Sequence, residues 1–189
     1  MLIKSMGLFW LRTDVFWGTK GQGNSGTLLG LGKLAKRKGI VDFWEQVGVY
    51  ALYTADYELV YVGQAGAGKR RALGDRLKDH TKDELAGRWD FFSWFGVRSV
   101  NKSGKLQATS LPKRLASGRE VLNVLETICI EVAEPSLNWR RGHVRGIQRY
   151  LQYRDAKRLG HKPEEAIIQL QKDVAKLQAS HSDRRIRGR

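Results

Sequence analysis

Two short strand-like runs with matching glycines and tyrosines decide the fold class of this chain. They are Gly48-Val49-Tyr50 and Tyr61-Val62-Gly63, and a polar turn around Ala55-Asp56 lies between them. Runs of Val, Tyr and Leu joined by a short polar turn are typical of a β-hairpin. The sequence therefore predicts paired strands over 47–53 and 58–63, which bring the two tyrosines to neighbouring positions.

Helices and a third strand are predicted on the C-terminal side of this hairpin. Residues 75–81 favour a helix, and the aromatic run over 89–97 favours a strand. The clearest helix covers 118–134, because its apolar residues recur at helical spacing and Pro135 ends it. Its predicted buried stripe is Val121, Leu125, Ile128 and Val132.

Net charge separates the C-terminal part of the chain from the rest. The chain has 189 residues and a formal net charge of +15. Residues 139–189 contain fourteen Lys/Arg and five Asp/Glu, whereas residues 47–138 contain thirteen and eleven. A basic segment of this kind attracts polyanions, and DNA is the partner that we expect.

Cysteine content and hydropathy exclude several classes of protein. The single cysteine, Cys129, excludes an internal disulfide framework and is typical of a reducing, cytoplasmic compartment. No apolar stretch approaches the roughly 18 residues that span a bilayer, and no signal peptide is indicated. The spaced glycines of residues 21–26 match a dinucleotide pattern, but such glycines more often form a loop. We therefore expect neither a membrane partner nor a small-molecule cofactor.

Polar side chains near the hairpin match the needs of phosphodiester hydrolysis. An arginine can hold the scissile phosphate, and a tyrosine or histidine can relay the proton of the attacking water. A carboxylate-bound cation can neutralise the developing charge. Arg76 and His80 are four residues apart in a predicted helix and so share one face. Glu126 lies at the margin of an apolar stripe, where a carboxylate is costly unless it is paired or metal-bound.

The order of these residues resembles the GIY-YIG nuclease family. That family has a tyrosine in each of two paired strands, and an arginine early in the first helix with a histidine or tyrosine four residues later. A glutamate follows on a later helix, and an asparagine comes after a proline-containing turn, as Asn138 does here. Valine replaces isoleucine in both tripeptides, and the resemblance covers about residues 47–138.

The resemblance implies an α+β fold in which helices flank a three-stranded antiparallel sheet. It implies a divalent-metal-dependent DNA endonuclease, with Mg²⁺, or Mn²⁺ as a substitute, held by Glu126. Tyr50 would position or deprotonate the attacking water, and Arg76 would contact the scissile phosphate. The implied catalytic residues are Tyr50, Tyr61, Arg76, His80, Glu126 and Asn138. We expect an aromatic and glycine-rich extension over 1–46, the catalytic domain over 47–140 and a basic helical extension over 141–189.

Basic residues outside the motif are predicted to contact the DNA backbone. A helix predicted over 143–159 places arginines at every fourth position, on one face. The predicted DNA-binding residues are Lys69, Arg70, Arg71, Arg140, Arg141, Arg145 and Arg149. Because the loop before Arg76 is basic, Arg70 or Arg71 could hold the phosphate in its place. Residues Ile167, Leu170, Val174 and Leu177 repeat in an a/d pattern, which leaves internal packing and a homodimer both open.

Two other functions stay open beside the nuclease. One is a nucleic-acid-binding protein on the same fold with a vestigial active site. The other is a basic adaptor whose C-terminal helices bind a protein partner. The presence of every polar motif residue favours the nuclease, and within that class a restriction-like enzyme or one associated with a phage, a mobile element or defence.

Overall fold

The computed structural model describes most of the chain. The described residues are 2–19, 26–32, 39–66, 71–107, 118–133 and 147–160, together with 162, 164–165, 167–168 and 171. The chain divides into two compact units, Met1–Arg154 and Asp155–Arg189. The sheet and the motif residues that the structure describes belong to the first unit.

Seven strands and three helices have defined bounds within the described residues. The strands are β1 (Ser5–Leu11), β2 (Leu29–Gly32), β3 (Ile40–Asp42), β4 (Gly48–Tyr53), β5 (Leu59–Ala65), β6 (Phe91–Gly96) and β7 (Gln148–Gln152). The helices are α1 (Leu73–Asp79), α2 (Gly118–Ala133) and α3 (Ala156–Leu159). Among the described helices, none has the length and the apolar character that crossing a membrane requires.

The strands form one mixed sheet in the order β3-β2-β7-β1-β6-β4-β5. Strands β1 and β7 run parallel, and each other neighbouring pair in this sheet is antiparallel. Strand β4 lies between β5 and β6, and β5 forms one edge of the sheet. The predicted hairpin therefore occupies one end of a much wider sheet.

The predicted three-stranded antiparallel sheet is wrong, because the described sheet has seven strands and one parallel pair. The three predicted strands are present as β4, β5 and β6, but β6 also pairs with β1 on its other side. Without β1, that side of β6 would expose unpaired backbone groups next to an aromatic surface. The aromatic N-terminal segment prevents this, since Trp10 of β1 is buried in the same core as Phe92 and Trp94.

The helix predicted over 143–159 is also wrong at its centre, where β7 runs between β1 and β2. Long-range hydrogen bonds hold this strand in place. The indole of Trp10 donates to the Tyr150 carbonyl at 3.3 Å, and the Gln152 side chain bonds both backbone groups of Leu11 at 2.6 and 2.8 Å. These tertiary contacts outweigh the helical spacing of Val144, Ile147 and Leu151 in the sequence. Arg149 therefore lies on a strand, and it shares no helix face with other arginines.

The C-terminal apolar stripe is described at one of its predicted positions. Ile167 is exposed, with 57% of its surface accessible. Leu170, Val174 and Leu177 lie outside the described residues. The homodimer through the C-terminal helices stays a prediction.

Each face of the sheet carries its own hydrophobic core. On one face, Tyr50 and Trp94 belong to the core that contains Leu77 of α1. On the other face, Phe95 packs with Val124 of α2. Successive residues of a strand point to opposite sides, so the adjacent Trp94 and Phe95 define two faces. We call them the α1 face and the α2 face.

The rotation of α2 differs from the one that its sequence predicts. Val124 and Thr127 are buried, whereas Leu125, predicted in the buried stripe, has 53% of its surface exposed. Contacts with the α2 face set this rotation, and one of them is the hydrogen bond from the Tyr53 hydroxyl to the Val132 carbonyl at 3.1 Å. Glu126 is exposed on the side of α2 away from these contacts.

Candidate active site

Tyr50 lies on the α1 face in the centre of β4, where it is fully buried. Its partner in the neighbouring strand is Gly63 of β5. A Cβ atom at Gly63 would overlap the ring and the hydroxyl of Tyr50 and crowd the ring of Tyr61. The second tripeptide therefore requires glycine at position 63. The Tyr50 ring occupies the space that a side chain at this position would fill.

Helix α1 brings Arg76 and His80 over the hairpin. Its first turn is fixed by backbone hydrogen bonds, from Leu73 N to Gln46 O and from Gly74 N to Trp44 O, each 2.9 Å long. His80 caps the C-terminal end of the helix, and its own carbonyl accepts a hydrogen bond from the Trp89 indole at 3.0 Å. These hydrogen bonds anchor the backbone of the histidine, and contacts with Tyr50 and Tyr61 orient its ring.

Four predicted site residues come together at this place, and we call them the tyrosine cluster: Tyr50, Tyr61, Arg76 and His80. The Tyr50 hydroxyl lies 2.8 Å from Nε2 of His80. The Tyr61 ring contacts the His80 ring edge-on, with 4.9 Å between their centroids. The Arg76 guanidinium and the Tyr61 hydroxyl also neighbour the Tyr50 hydroxyl as hydrogen-bonding groups.

The electrostatics of the cluster favour a neutral phenol at Tyr50. Burial, opposed by the Arg76 guanidinium, raises the pKa of Tyr50 to about 12. Partial burial works against the charge of Arg76, but the phenols of Tyr50 and Tyr61 and the Asp79 carboxylate outweigh it and raise the pKa of Arg76. At neutral pH the cluster therefore presents a protonated phenol beside a fixed positive charge.

Arg76 and Arg71 compete for one carboxylate. Asp79 Oδ1 lies 2.7 Å from Nη1 of Arg71, and Asp79 Oδ2 lies 3.9 Å from Nη1 of Arg76. The closer pair leaves Arg76 weakly paired, and 31% of its side chain is still exposed to solvent. Arg76 can therefore reach an incoming anion while it stays beside Tyr50.

The sequence reasoning missed one polar contact of the cluster, which is made by Asp83. Its Oδ2 lies 2.6 Å from Nδ1 of His80, and its Oδ1 accepts a hydrogen bond from the Leu85 N–H at 2.9 Å. The only sequence signal is the spacing of three residues between the histidine and the aspartate. Because Asp83 lies in the turn after α1, this spacing does not by itself predict a contact between the two side chains.

The residues implied to hold Mg²⁺ do not fit a metal site at the tyrosine cluster. Mg²⁺ usually needs one or two carboxylates together with water and substrate phosphate. Glu126 is exposed on a helix that packs on the opposite face of the sheet. The nearer carboxylates, Asp79 and Asp83, are paired with arginines and with His80. No group of three potential metal-ligating side chains occurs among the described residues.

The remaining predicted residues are not brought to the cluster by the described part of the chain. Arg149 is on β7, which β1 and β6 separate from β4. Asn138, Lys69, Arg70, Arg140, Arg141 and Arg145 lie outside the described residues. Their proposed contacts with DNA or with the site stay predictions.

Comparisons of this chain with protein-family models, with curated proteins and with solved structures find no match. The functional interpretation therefore depends on the motif residues and on the geometry that joins four of them.

Proposed function

We propose that this protein is an endonuclease that hydrolyses phosphodiester bonds in DNA, with the tyrosine cluster as its active site. The observation that carries the proposal is the placement of the Tyr50 hydroxyl between the His80 imidazole and the Arg76 guanidinium. A proton-transfer pair beside a partly exposed arginine is the arrangement that phosphodiester hydrolysis needs. The resemblance to GIY-YIG nucleases supports the same assignment.

Arg76 would hold the scissile phosphate. A guanidinium presents a planar fork of N–H donors that matches two phosphate oxygens at once. The weak pairing with Asp79, at 3.9 Å, gives way to the closer and more highly charged phosphate. Because the Tyr50 side chain is fully buried, the attacking water would reach its hydroxyl only when Arg76 or Tyr61 moves aside as the phosphate binds.

Tyr50 would act as a proton relay rather than as a free base. With a pKa of about 12 its hydroxyl stays protonated at neutral pH, so it cannot simply remove a proton from water. It can do so if its own proton moves to Nε2 of His80, 2.8 Å away, as the water proton arrives. The water oxygen then attacks phosphorus while the P–O bond to the leaving alkoxide breaks. The alkoxide takes a proton from solvent, and the positive charge is left on His80.

The requirement for Mg²⁺, or for Mn²⁺ as a substitute, is a proposal that comes from the resemblance. The described residues do not form a site for such an ion at the tyrosine cluster, so no step of the cleavage is assigned to it. The exposed position of Glu126 makes this role testable without loss of fold, because Glu126→Gln removes a solvent-facing charge. The resemblance predicts that this variant binds DNA but fails to cleave it.

A second candidate function is DNA binding without cleavage. It is favoured by one observation, namely that Glu126 lies on a helix of the opposite sheet face. On this alternative the basic C-terminal segment binds the DNA backbone, and the tyrosine cluster serves only as core structure.

Incubation with supercoiled plasmid separates the two candidates. The purified chain with Mg²⁺ should yield nicked or linear plasmid, and EDTA should prevent this. Arg76→Ala provides the control for a contaminating nuclease, since it should bind plasmid in a gel-shift experiment without cutting it. Binding by the wild type with no cleavage over a range of Mg²⁺ and Mn²⁺ concentrations would establish the second candidate.

A further inference from the structure

Asp83 forms the far end of a hydrogen-bonded chain that begins at Tyr50. The chain runs from the Tyr50 hydroxyl to Nε2 of His80, over 2.8 Å, and from Nδ1 of His80 to Oδ2 of Asp83, over 2.6 Å. The Leu85 N–H fixes the second carboxylate oxygen at 2.9 Å. The His80 side chain is almost fully buried, with 4% of its surface exposed, so water does not compete freely for its ring nitrogens.

The carboxylate decides which ring nitrogen carries the hydrogen. Partial burial opposes the charge of Asp83, but the Leu85 N–H and the His80 ring outweigh it and lower the pKa of Asp83. An ionised carboxylate can only accept, so the hydrogen of a neutral His80 must lie on Nδ1. Nε2 then carries a lone pair, and the Tyr50 hydroxyl is the donor that faces it.

We propose that Asp83 is a positioning residue that holds His80 in its Nδ1–H tautomer and so makes Nε2 the acceptor for the Tyr50 proton. This inference rests on the proposed function. When the proton moves from the Tyr50 oxygen to Nε2, the phenolate oxygen takes one proton from the attacking water. The imidazolium keeps its hydrogen on Nδ1, where the negative charge of Asp83 stabilises it. A carboxylate that orients a histidine in this way has a large effect on rate in serine hydrolases.

Other charged groups around the histidine do not provide this control. Tyr61 contacts the ring edge-on, and Arg76 is a cation that neighbours the Tyr50 hydroxyl and also lowers the pKa of Asp83; neither offers an acceptor to Nδ1 in the described contacts. Asp79 is paired with Arg71 and Arg76. Among the described residues, Asp83 is thus the carboxylate that contacts the imidazole.

The test uses Asp83→Asn, with Glu84→Gln as the matched control. Asparagine keeps an oxygen for the Leu85 N–H but loses the charge, and its amide can donate to Nδ1 and reverse the tautomer. Glu84 is the exposed neighbour of Asp83, so its variant makes the same change of charge without contacting His80. We expect Asp83→Asn to cleave plasmid about 10²-fold more slowly or worse, in the range of a lost proton-transfer catalyst. Glu84→Gln should cleave at the wild-type rate.

The tautomer itself gives a second measurement that does not depend on cleavage. In a long-range ¹H–¹⁵N spectrum of the full-length protein, assigned by comparison with His80→Gln, wild-type His80 should show a protonated Nδ1 and a bare Nε2. Asp83→Asn should lose that pattern, and Glu84→Gln should keep it. A wild-type His80 protonated on Nε2, or an Asp83→Asn variant with unchanged tautomer and unchanged cleavage, would overturn the inference. Absence of cleavage in the wild type with the Nδ1–H tautomer present would instead overturn the proposed function.

Discussion

The hydroxyl of Tyr50 and Nε2 of His80 form a buried hydrogen bond of 2.8 Å across thirty residues of sequence. It joins the centre of a strand to the end of the helix that follows the hairpin. A buried pair of this kind stabilises the fold and can also move a proton, and the two roles make different predictions. Variants that keep the ring and remove the hydroxyl separate them.

Tyr50→Phe should reduce cleavage far more than stability. The ring stays, but the proton relay is lost, which costs about 10²–10⁴-fold in rate. The unpaired His80 nitrogen should lower the free energy of unfolding by about 1–3 kcal/mol. Single-turnover cleavage and urea unfolding measure the two effects.

Tyr53→Phe is the matched control for this experiment. Tyr53 is buried on the same strand, but its hydroxyl bonds the Val132 carbonyl on the α2 face. Tyr53→Phe should lose stability because that hydrogen bond is removed, and it should keep full activity. Equal rates for wild type and Tyr50→Phe would assign Tyr50 to structure alone.

Arg76→Lys should be severely impaired although it keeps the positive charge. Lysine lacks the planar fork that contacts two phosphate oxygens. Arg71→Lys should have a smaller effect, because the Arg71 side chain is 62% exposed and pairs with Asp79. Initial rates on plasmid at several salt concentrations measure this difference. Full activity of Arg76→Lys together with an inactive Arg71→Lys would assign the phosphate contact to Arg71 in the loop before α1.

The hairpin and the cluster could be predicted because their determinants are local. Tyr50 and Tyr61 are joined by a short turn, and Arg76 and His80 lie one helical turn apart, so strand pairing and helix periodicity place them. The packing of α1 against β4 could be expected only from the resemblance to the nuclease family. The contact of Asp83 with His80 was not predicted, because the orientation of the Asp83 side chain depends on the turn that ends at Leu85.

The wider sheet could not be predicted because it depends on pairing between distant segments. Ser5 of β1 pairs with Gln148 of β7, and the same strand pairs with β6 on its other side. Local periodicity contains no information on such partners, and for residues 143–159 it favours a helix. The exposed position of Glu126 could not be predicted for a related reason. Only tertiary packing decides which sheet face α2 covers and how the helix is rotated.

Gly63→Ala should disrupt the cluster without removing any polar group. The added methyl would overlap the ring and the hydroxyl of Tyr50, so the ring must shift and its hydrogen bond with His80 must change. Overpacking of this kind costs about 1–3 kcal/mol of stability. We expect loss of cleavage together with a weakened tautomer signal at His80. Normal cleavage by a variant of normal stability would show that Tyr50 has room to move and that its position is not tightly set.

The raised pKa of Tyr50 predicts a specific loss of stability at alkaline pH. The folded protein holds the phenolic proton up to about pH 12, whereas the unfolded chain releases it near the ordinary value of 10.0. Above pH 10 the folded state therefore binds more protons, and the free energy of unfolding falls as pH rises, with the full contribution present below pH 10. The slope is about 1.4 kcal/mol per pH unit for one group.

Urea unfolding between pH 9 and 11 should show a steeper decline in the free energy of unfolding for the wild type than for Tyr50→Phe. Tyr150, whose pKa burial also raises, titrates in both proteins and cancels in the comparison. Parallel declines in the two proteins would mean that the Tyr50 phenol ionises equally well in the folded and unfolded states.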